Sequence, residues 1–147
     1  MKSVFDPAAR QEIIDRVNKL SPATQAQWGK MNAAQMLAHC GISFRVPTGD
    51  FTIQKTWVRF IGRFFKSLAT NDKPFQKNSP TAAEFLITDE RIFETEKKNF
   101  IDNFQKVSRG PEAITYFEHG FFGYLTAEEW GKMIYKHTDH HLRQFGV

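Results

Sequence analysis

Apolar residues recur every three to four positions along much of the chain, and this spacing predicts a mainly helical protein. The first helix is predicted to begin at the N-cap residue Asp6, with Pro7 in its first turn, and to end at Leu20. A second helix is predicted from the N-cap residue Asn32 to about Arg45. A proline follows shortly after each segment, and proline cannot continue a helix.

A third helix, with an extended apolar stripe, is predicted over about Ile53–Leu68. The members of the stripe are Ile53, Trp57, Phe60, Ile61, Phe64, Phe65 and Leu68. The basic residues on its other faces are Lys55, Arg59, Arg63 and Lys66. Such a stripe could form a cofactor or partner groove, but core packing is its more common use, so we expect these side chains to be buried. The polar stretch 71–80, which contains two prolines, is predicted to be a long loop.

A fourth helix is predicted from Thr88 or Asp89 to about Ser108. Its inner face is predicted to consist of Phe93, Phe100, Phe104 and Val107. The connection 112–125 has two glycines among aromatic residues, which indicates a tight, packed link. We expect His119 in this link to hydrogen-bond the loop backbone and to help fix the start of the last helix; a place at a site entrance is the alternative.

The C-terminal stretch Thr126–Val147 is predicted to be one long helix, with a capping box formed by Thr126 and Glu129. At about 100° per residue, one narrow stripe holds Trp130, Ile134, His137, His141 and Gln144. His137 and His141 are four positions apart, so they lie one above the other. Two imidazoles on an apolar stripe are costly to bury without partners, and one metal ion would satisfy both. Two partly exposed histidines near a frayed terminus are the alternative.

His39 lies on a mixed apolar and small polar face of the second predicted helix. Its neighbours on that face are Gln35, Met36, Ile42 and Ser43. A face of this kind suits the wall of a cavity better than a dry core; a hydrogen-bonded core histidine is the alternative. Cys40 is rotated by about 100° from His39, and we interpret it as a packing residue and not as a nucleophile.

Composition changes this picture little. The chain has 147 residues, 41% hydrophobic and 24% charged, which is typical of a soluble globular protein with one domain over residues 1–147. The net charge of +4 comes from scattered basic residues without a nucleic-acid motif, so we do not expect nucleic-acid binding. The single Cys40 excludes an internal disulfide framework. We found no membrane span and no signal sequence, so we expect a cytoplasmic protein without a membrane partner.

Three stretches carry a resemblance to the DinB/YfiT-like metalloenzyme superfamily, in particular to a branch described as a domain of unknown function. The first is Trp28–Asn32 running into Gln35–His39, the second is His119–Thr126, and the third is His137–Gln144. Their order and helical setting cover nearly the whole chain. The branch often has proline where Gly120 stands, a departure that we expect to affect loop stiffness and not the metal site.

The resemblance implies an all-α fold, an antiparallel four-helix bundle with a long crossover. It also implies one metal held by three histidines, one on the second helix and two on the last. Mapped onto this sequence, the ligands are His39, His137 and His141. We expect one divalent transition metal, with zinc or nickel as the first candidates and iron as another. The predicted cavity wall consists of Gln35, Met36, Ile134, His140 and Gln144, of which His140 and Gln144 are candidates to hydrogen-bond a ligand or the substrate.

The resemblance further implies a metal-dependent hydrolase or a transferase that uses a low-molecular-weight thiol. We therefore expect a small-molecule substrate, and an aromatic-rich bundle of this size could also form a homodimer. No catalytic residue can be assigned, because the sequence offers no convincing general base. A non-catalytic bundle that binds a metal or ligand, with a role in a stress response or an interaction, is the alternative. A helical bundle without a metal is the third reading.

Overall fold

A computed structural model describes residues 1–53 and 58–147, and the protein is mostly helical with a small two-stranded sheet. Its helices are α1 (Pro7–Asn18), α2 (Ala33–Phe44), α3 (Val58–Gly62), α4 (Ser67–Thr70), α5 (Phe93–Val107) and α6 (Ala127–Gln144). Short 3₁₀ turns lie at Arg63–Phe65, Ala83–Phe85 and Pro111–Ala113. Two short strands, β1 (Glu118–His119) and β2 (Gly123–Tyr124), pair antiparallel. The predicted helical class is confirmed at this level.

The two helices that carry the candidate metal ligands begin at the predicted capping boxes. At the start of α2, Asn32 Oδ1 accepts from the backbone N–H of Gln35 at 2.9 Å, and Gln35 Oε1 accepts from the N–H of Asn32 at 3.0 Å. At the start of α6, Thr126 and Glu129 exchange the same pair of bonds, at 3.2 and 2.8 Å. These bonds satisfy backbone donors that a helix start leaves unpaired, so they fix where both helices begin.

The core lies where α2 packs between α5 and α6. Phe44 contacts Phe100 and Phe104 with ring centroids 5.0 and 5.5 Å apart. The predicted inner face of the fourth helix is buried at every position, which confirms that prediction. α1 also packs against α6.

The predicted start of the fourth helix, at Thr88 or Asp89, was wrong, since α5 begins at Phe93. The side chain of Gln35 donates to the backbone carbonyl of Asp89 at 3.1 Å. This bond ties Asp89 to the start of α2. Residues 89–92 therefore lie outside α5. The position at which α5 begins therefore depends on a contact between residues distant in sequence, and the local sequence pattern does not contain it.

The third predicted helix differs most from expectation. In its place lie α3, the 3₁₀ turn Arg63–Phe65 and α4, while Ile53 is buried outside any helix and Trp57 falls outside the described residues. The stripe residues Phe60, Ile61, Phe64, Phe65 and Leu68 are exposed, so the prediction that they pack in the core was wrong.

The third segment docks through other residues. Ala69 is fully buried, and the Lys136 ammonium of α6 donates to the carbonyl oxygens of Leu68 and Asn71. α4 is therefore attached to α6 by main-chain acceptors, with its stripe turned away. Within the described ranges, no helix is long and apolar enough to cross a membrane.

Candidate metal centre

Three imidazoles converge between α2 and α6. His39 comes from α2, and His137 and His141 come from successive turns of α6. His137 Nε2 lies 3.1 Å from His39 Nε2 and 3.2 Å from His141 Nε2. One ligand atom from each side chain falls within 4.8 Å of the others, so the three residues form a group that could hold a metal ion. The i, i+4 spacing on α6 is what aligns the second pair.

The hydrogen bonds of the Nδ1 atoms show that the Nε2 atoms of His39 and His141 face the centre of the group. His39 Nδ1 lies 2.9 Å from the backbone carbonyl oxygen of Phe85, which can only accept a hydrogen bond. His141 Nδ1 lies 2.9 Å from Gln144 Oε1, and the orientation of that amide is set because its Nε2 donates to the carbonyl of Trp28 at 2.7 Å. Both Nδ1 atoms therefore carry the proton in a neutral ring, and both Nε2 atoms present a lone pair to the centre.

His137 cannot satisfy both of these lone pairs. A proton on its Nε2 could be donated to His39 or to His141, but one of the two acceptors would still be unpaired. Its Nδ1 is 3.5 Å from the hydroxyl of Ser43, which already donates to the carbonyl of Cys40 at 2.8 Å. Leaving a buried polar atom unpaired is costly. A cation at the centre would engage all three Nε2 atoms, so the residues present fit a metal.

Burial keeps these imidazoles neutral. The pKa of His141 is lowered to about 3, first by burial and then by the neighbouring His39. Burial also lowers the pKa of His39, against the opposing effect of its bond to Phe85. The pKa of His137 lies well below its ordinary value because of burial and the adjacent imidazoles. Neutral imidazole is the form that binds a metal, so the ligands need not lose a proton first near neutral pH.

The three histidines are not equally buried. His39 and His141 are 4% and 8% exposed, whereas His137 is more open. No Asp or Glu joins the three histidines in the described part of the chain. The arrangement therefore offers three neutral nitrogen ligands, one fewer than the four protein ligands of a typical structural zinc site.

The residues predicted to line one cavity have different contacts in the structure. Gln144 contacts a candidate ligand directly, as described above. The amide of Gln35 is engaged in the α2 capping box and in the bond to Asp89. Met36 and Ile134 belong to the hydrophobic core. The ring of His140 lies 5.2 Å from that of His141 and borders a separate cavity of about 130 Å³. Contact of any of them with a substrate stays a prediction.

Some contacts of the centre had no clear signal in the sequence. The Phe85 partner of His39 is a main-chain carbonyl, which any residue could supply. Gly29 is more readable: its φ is +83°, and a Cβ there would lie 2.4 Å from Gln144 Nε2. Glycine at this position lets the backbone approach the glutamine that holds His141. Trp28 and Gly29 belong to the first stretch of resemblance, but the sequence alone does not indicate that Gly29 contacts Gln144.

His119 and Cys40 behave as expected. The His119 Nδ1 atom accepts from the backbone N–H groups of Phe121 and Phe122 at 3.0 and 3.1 Å, and its ring packs against Trp130 of α6. This confirms the predicted hydrogen bonds to the loop backbone, whereas a part in fixing the start of α6 stays a prediction. Cys40 is fully buried, and burial raises the pKa of its thiol. That environment suits packing and disfavours a thiolate nucleophile.

Comparison with known proteins places the chain without assigning it an activity. Neither the curated proteins nor the solved structures include a match. Residues 5–146 match the family described as "Protein of unknown function (DUF1569)". Because this match covers nearly the whole chain, the protein belongs to that family of unknown function.

Proposed function

We propose that the protein binds one divalent transition metal through His39, His137 and His141. The observation that carries this proposal is the convergence of three Nε2 atoms at 3.1 and 3.2 Å. The outer nitrogens of His39 and His141 are committed to acceptor oxygens, which orients both rings toward the centre. Partners of this kind on the second ring nitrogen are typical of metal-ligating histidines.

We further propose that this family is a branch of the DinB/YfiT-like superfamily. In this proposal α1, α2, α5 and α6 form an antiparallel four-helix bundle, with the long crossover between α2 and α5. Support comes from the three stretches of resemblance and from the distribution of the histidines, one on α2 and two on α6. Helical bundles commonly build metal sites from inward side chains on facing helices.

The proposed activity is that of a metal-dependent hydrolase or a low-molecular-weight-thiol transferase acting on a small molecule. When bound, zinc, nickel or iron would polarise an oxygen ligand or hold a thiol as the thiolate. The chain's own part is positional. Phe85 and Gln144 orient the imidazoles, and the Phe85 ring packs on His39 with centroids 6.2 Å apart, which limits water on that side.

A non-catalytic binder is the second candidate function. It is favoured by the lack of a carboxylate beside the three histidines in the described residues, since no group there is suited to act as a general base. The two candidates share the metal centre and differ only in turnover. An assay with a thiol and an electrophile, or with hydrolysable esters and amides, separates them when His141→Ala is run beside the wild-type protein.

Elemental analysis of gently purified protein tests the metal centre. We expect close to one metal per chain in the wild-type protein and loss of that metal in His39→Ala, His137→Ala and His141→Ala. His140→Ala is the matched control, because it removes an imidazole that lies beside the group and outside it. Added metal should also raise the melting temperature of the wild-type protein and of the control, since a ligand that binds only the native state stabilises it.

A folded wild-type protein that takes up no zinc, nickel or iron after incubation would contradict the proposal. Equal metal content in the control and in the three ligand variants would contradict the assignment of these residues. Retained metal with no turnover of any substrate class would favour the binder.

A further inference from the structure

The cavity that His140 borders lies between α6 and two loops, and we term it the α6 cavity. Its volume is about 130 Å³. Four lining residues of α6 lie on one side of the helix because they are three, four and seven positions apart, namely Lys136, Asp139, His140 and Arg143. Trp28 and the polar loop 71–80 supply the rest of the lining. None of the three metal-centre histidines lines the α6 cavity, so the two sites are separate.

Three cationic side chains line the α6 cavity, namely Lys77, Lys136 and Arg143. Lys136 is only 7% exposed, and its ammonium donates to the carbonyl oxygens of Leu68 and Asn71 and to the Asn71 side chain, which are all neutral acceptors. Within the described residues, neither Lys77 nor Lys136 forms an ion pair. Burying a charge without a counter-ion is costly, so an anion in the cavity would be stabilised.

The acidic residue of the lining, Asp139, already has a cationic partner outside the cavity. Arg16 Nη1 lies 2.8 Å from one carboxylate oxygen of Asp139, and Arg143 Nη1 lies 3.7 Å from the other. The Arg16 pair is the closer one, so it offsets the negative charge of Asp139. A separation of 3.7 Å is longer than a hydrogen bond, and a guanidinium has five N–H donors. Arg143 therefore keeps donors for another acceptor.

Aromatic rings hold two of the cations at the α6 cavity. Lys77 Nζ lies 4.3 Å from the centre of the Trp28 ring, and Lys136 Nζ lies 4.6 Å from the centre of the Phe75 ring. His140 packs edge-on against both rings, with centroids 5.9 and 6.1 Å apart. The Nε1–H group of Trp28 is buried and has no hydrogen-bond partner among the described residues. A buried donor without an acceptor is costly, so the lining lacks an acceptor as well as a negative charge.

We propose that the α6 cavity binds the oxyanionic group of a small molecule, either a carboxylate or a phosphate. The oxygen atoms of this group accept from Arg143 and from the N–H of Trp28, while Lys77 and Lys136 balance its charge. The cavity is smaller than the roughly 300–1,000 Å³ of pockets that enclose a whole drug-sized ligand. It therefore admits a compact anionic group. The proposal does not rest on the metal centre, because the metal-centre histidines do not line this cavity.

Nuclear magnetic resonance of the full chain labelled with ¹⁵N tests this proposal. The protein is titrated with sodium phosphate and, separately, with sodium acetate. Sodium chloride keeps the ionic strength constant, because salt screens charge interactions. We expect saturable shifts of the backbone amides of residues 75–77 and 139–143 with at least one of the two probes. Each titration is repeated with a chelator, and the dissociation constant should stay the same.

Variants of the lining residues identify the groups that bind the anion. The double variant Lys77→Gln, Arg143→Gln should bind the probe at least about tenfold more weakly, because it loses charge-assisted contacts. Trp28→Phe should bind about fivefold more weakly, because it loses one N–H donor. The matched control is the double variant Lys19→Gln, Arg109→Gln, which removes two exposed cations outside the cavity and should bind like the wild-type protein. Melting curves verify that the variants are folded.

Three results would each overturn the proposal. The first is the absence of saturable shifts with both probes. The second is equal weakening in the lining variant and in the control, which would mean that net charge and not the cavity attracts the anion. The third is loss of binding in the presence of the chelator, which would place the anion on the metal centre. Saturation by phosphate alone, or by acetate alone, supports the proposal and identifies the anionic group.

Discussion

The apolar stripe of α6 and the stripe from Phe60 to Leu68 differ in what covers them. On α6, Trp130 and Ile134 are each 3% exposed, and the histidines on the same stripe meet His39 across the interface with α2. The stripe of the third segment faces outward, and its members are 46% to 74% exposed. The comparison teaches that periodicity identifies an apolar face but does not identify its partner. Helix length, caps and facing elements decide that.

The largest expected effect comes from the same substitution made in the two regions. Phe100 is fully buried between α2 and α5, whereas Phe64 is 74% exposed. Phe100→Ala should lower the free energy of unfolding by about 3–5 kcal/mol, since it removes buried surface and leaves a cavity. Phe64→Ala should change it by no more than about 0.5 kcal/mol. Urea unfolding of both variants measures the difference. Similar losses would mean that the stripe from Phe60 to Leu68 is packed in solution.

A smaller effect is expected where the α6 stripe meets the metal centre. Gln144→Met keeps the size of the side chain but removes the acceptor of His141 and the donor to Trp28. Metal affinity should fall about 10- to 100-fold, because the imidazole loses the bond that orients it. Titration calorimetry with zinc gives the affinity. The exposed Gln105→Met is the control and should bind like the wild-type protein. Equal affinity in both variants would show that Gln144 does not position His141.

The smallest expected effect is a pH dependence at the hairpin of β1 and β2, which lies against α3. Burial lowers the pKa of His119 from 6.5 to about 4 in the folded protein. The unfolded chain therefore takes up a proton at a higher pH than the folded one, so this contribution to stability is present above pH 6.5 and is lost as the pH falls toward 4.

His119→Asn isolates this contribution, because the amide oxygen of asparagine can still accept from the backbone but does not titrate. Urea unfolding at pH 7 and pH 4.5, with chelator present, should show a smaller loss of stability at low pH for the variant than for the wild-type protein. The remaining histidines titrate in both proteins and cancel in the comparison. An identical pH dependence would show that His119 protonates freely in the folded state.

The sequence predicted those parts of the molecule that depend on local pattern. The boxes at Asn32 and Thr126 gave the starts of α2 and α6, and the i, i+4 spacing aligned His137 with His141. The assignment of His39 as the third ligand needed the family resemblance, because the sequence of α2 does not indicate which helix packs against it.

The remaining features depend on contacts between distant segments. The start of α5 was misplaced because the carbonyl of Asp89 is bound by Gln35, which lies 54 positions earlier. The Phe85 carbonyl that orients His39 leaves no mark on residue identity, since every residue has a carbonyl. The bond between Lys136 and the carbonyl of Leu68 likewise joins segments far apart in sequence, and the pattern of the third segment does not contain it.

That bond also has a consequence for the order in which the chain folds. α4 has only four residues, too few to be stable as an isolated helix. Its final carbonyl groups are capped by Lys136, which belongs to a helix that begins more than fifty positions later. α4 can therefore persist only after α6 has formed and docked, which makes it a late unit of assembly. Hydrogen exchange should reveal this, with the amides of residues 67–71 opening while those of α6 remain protected.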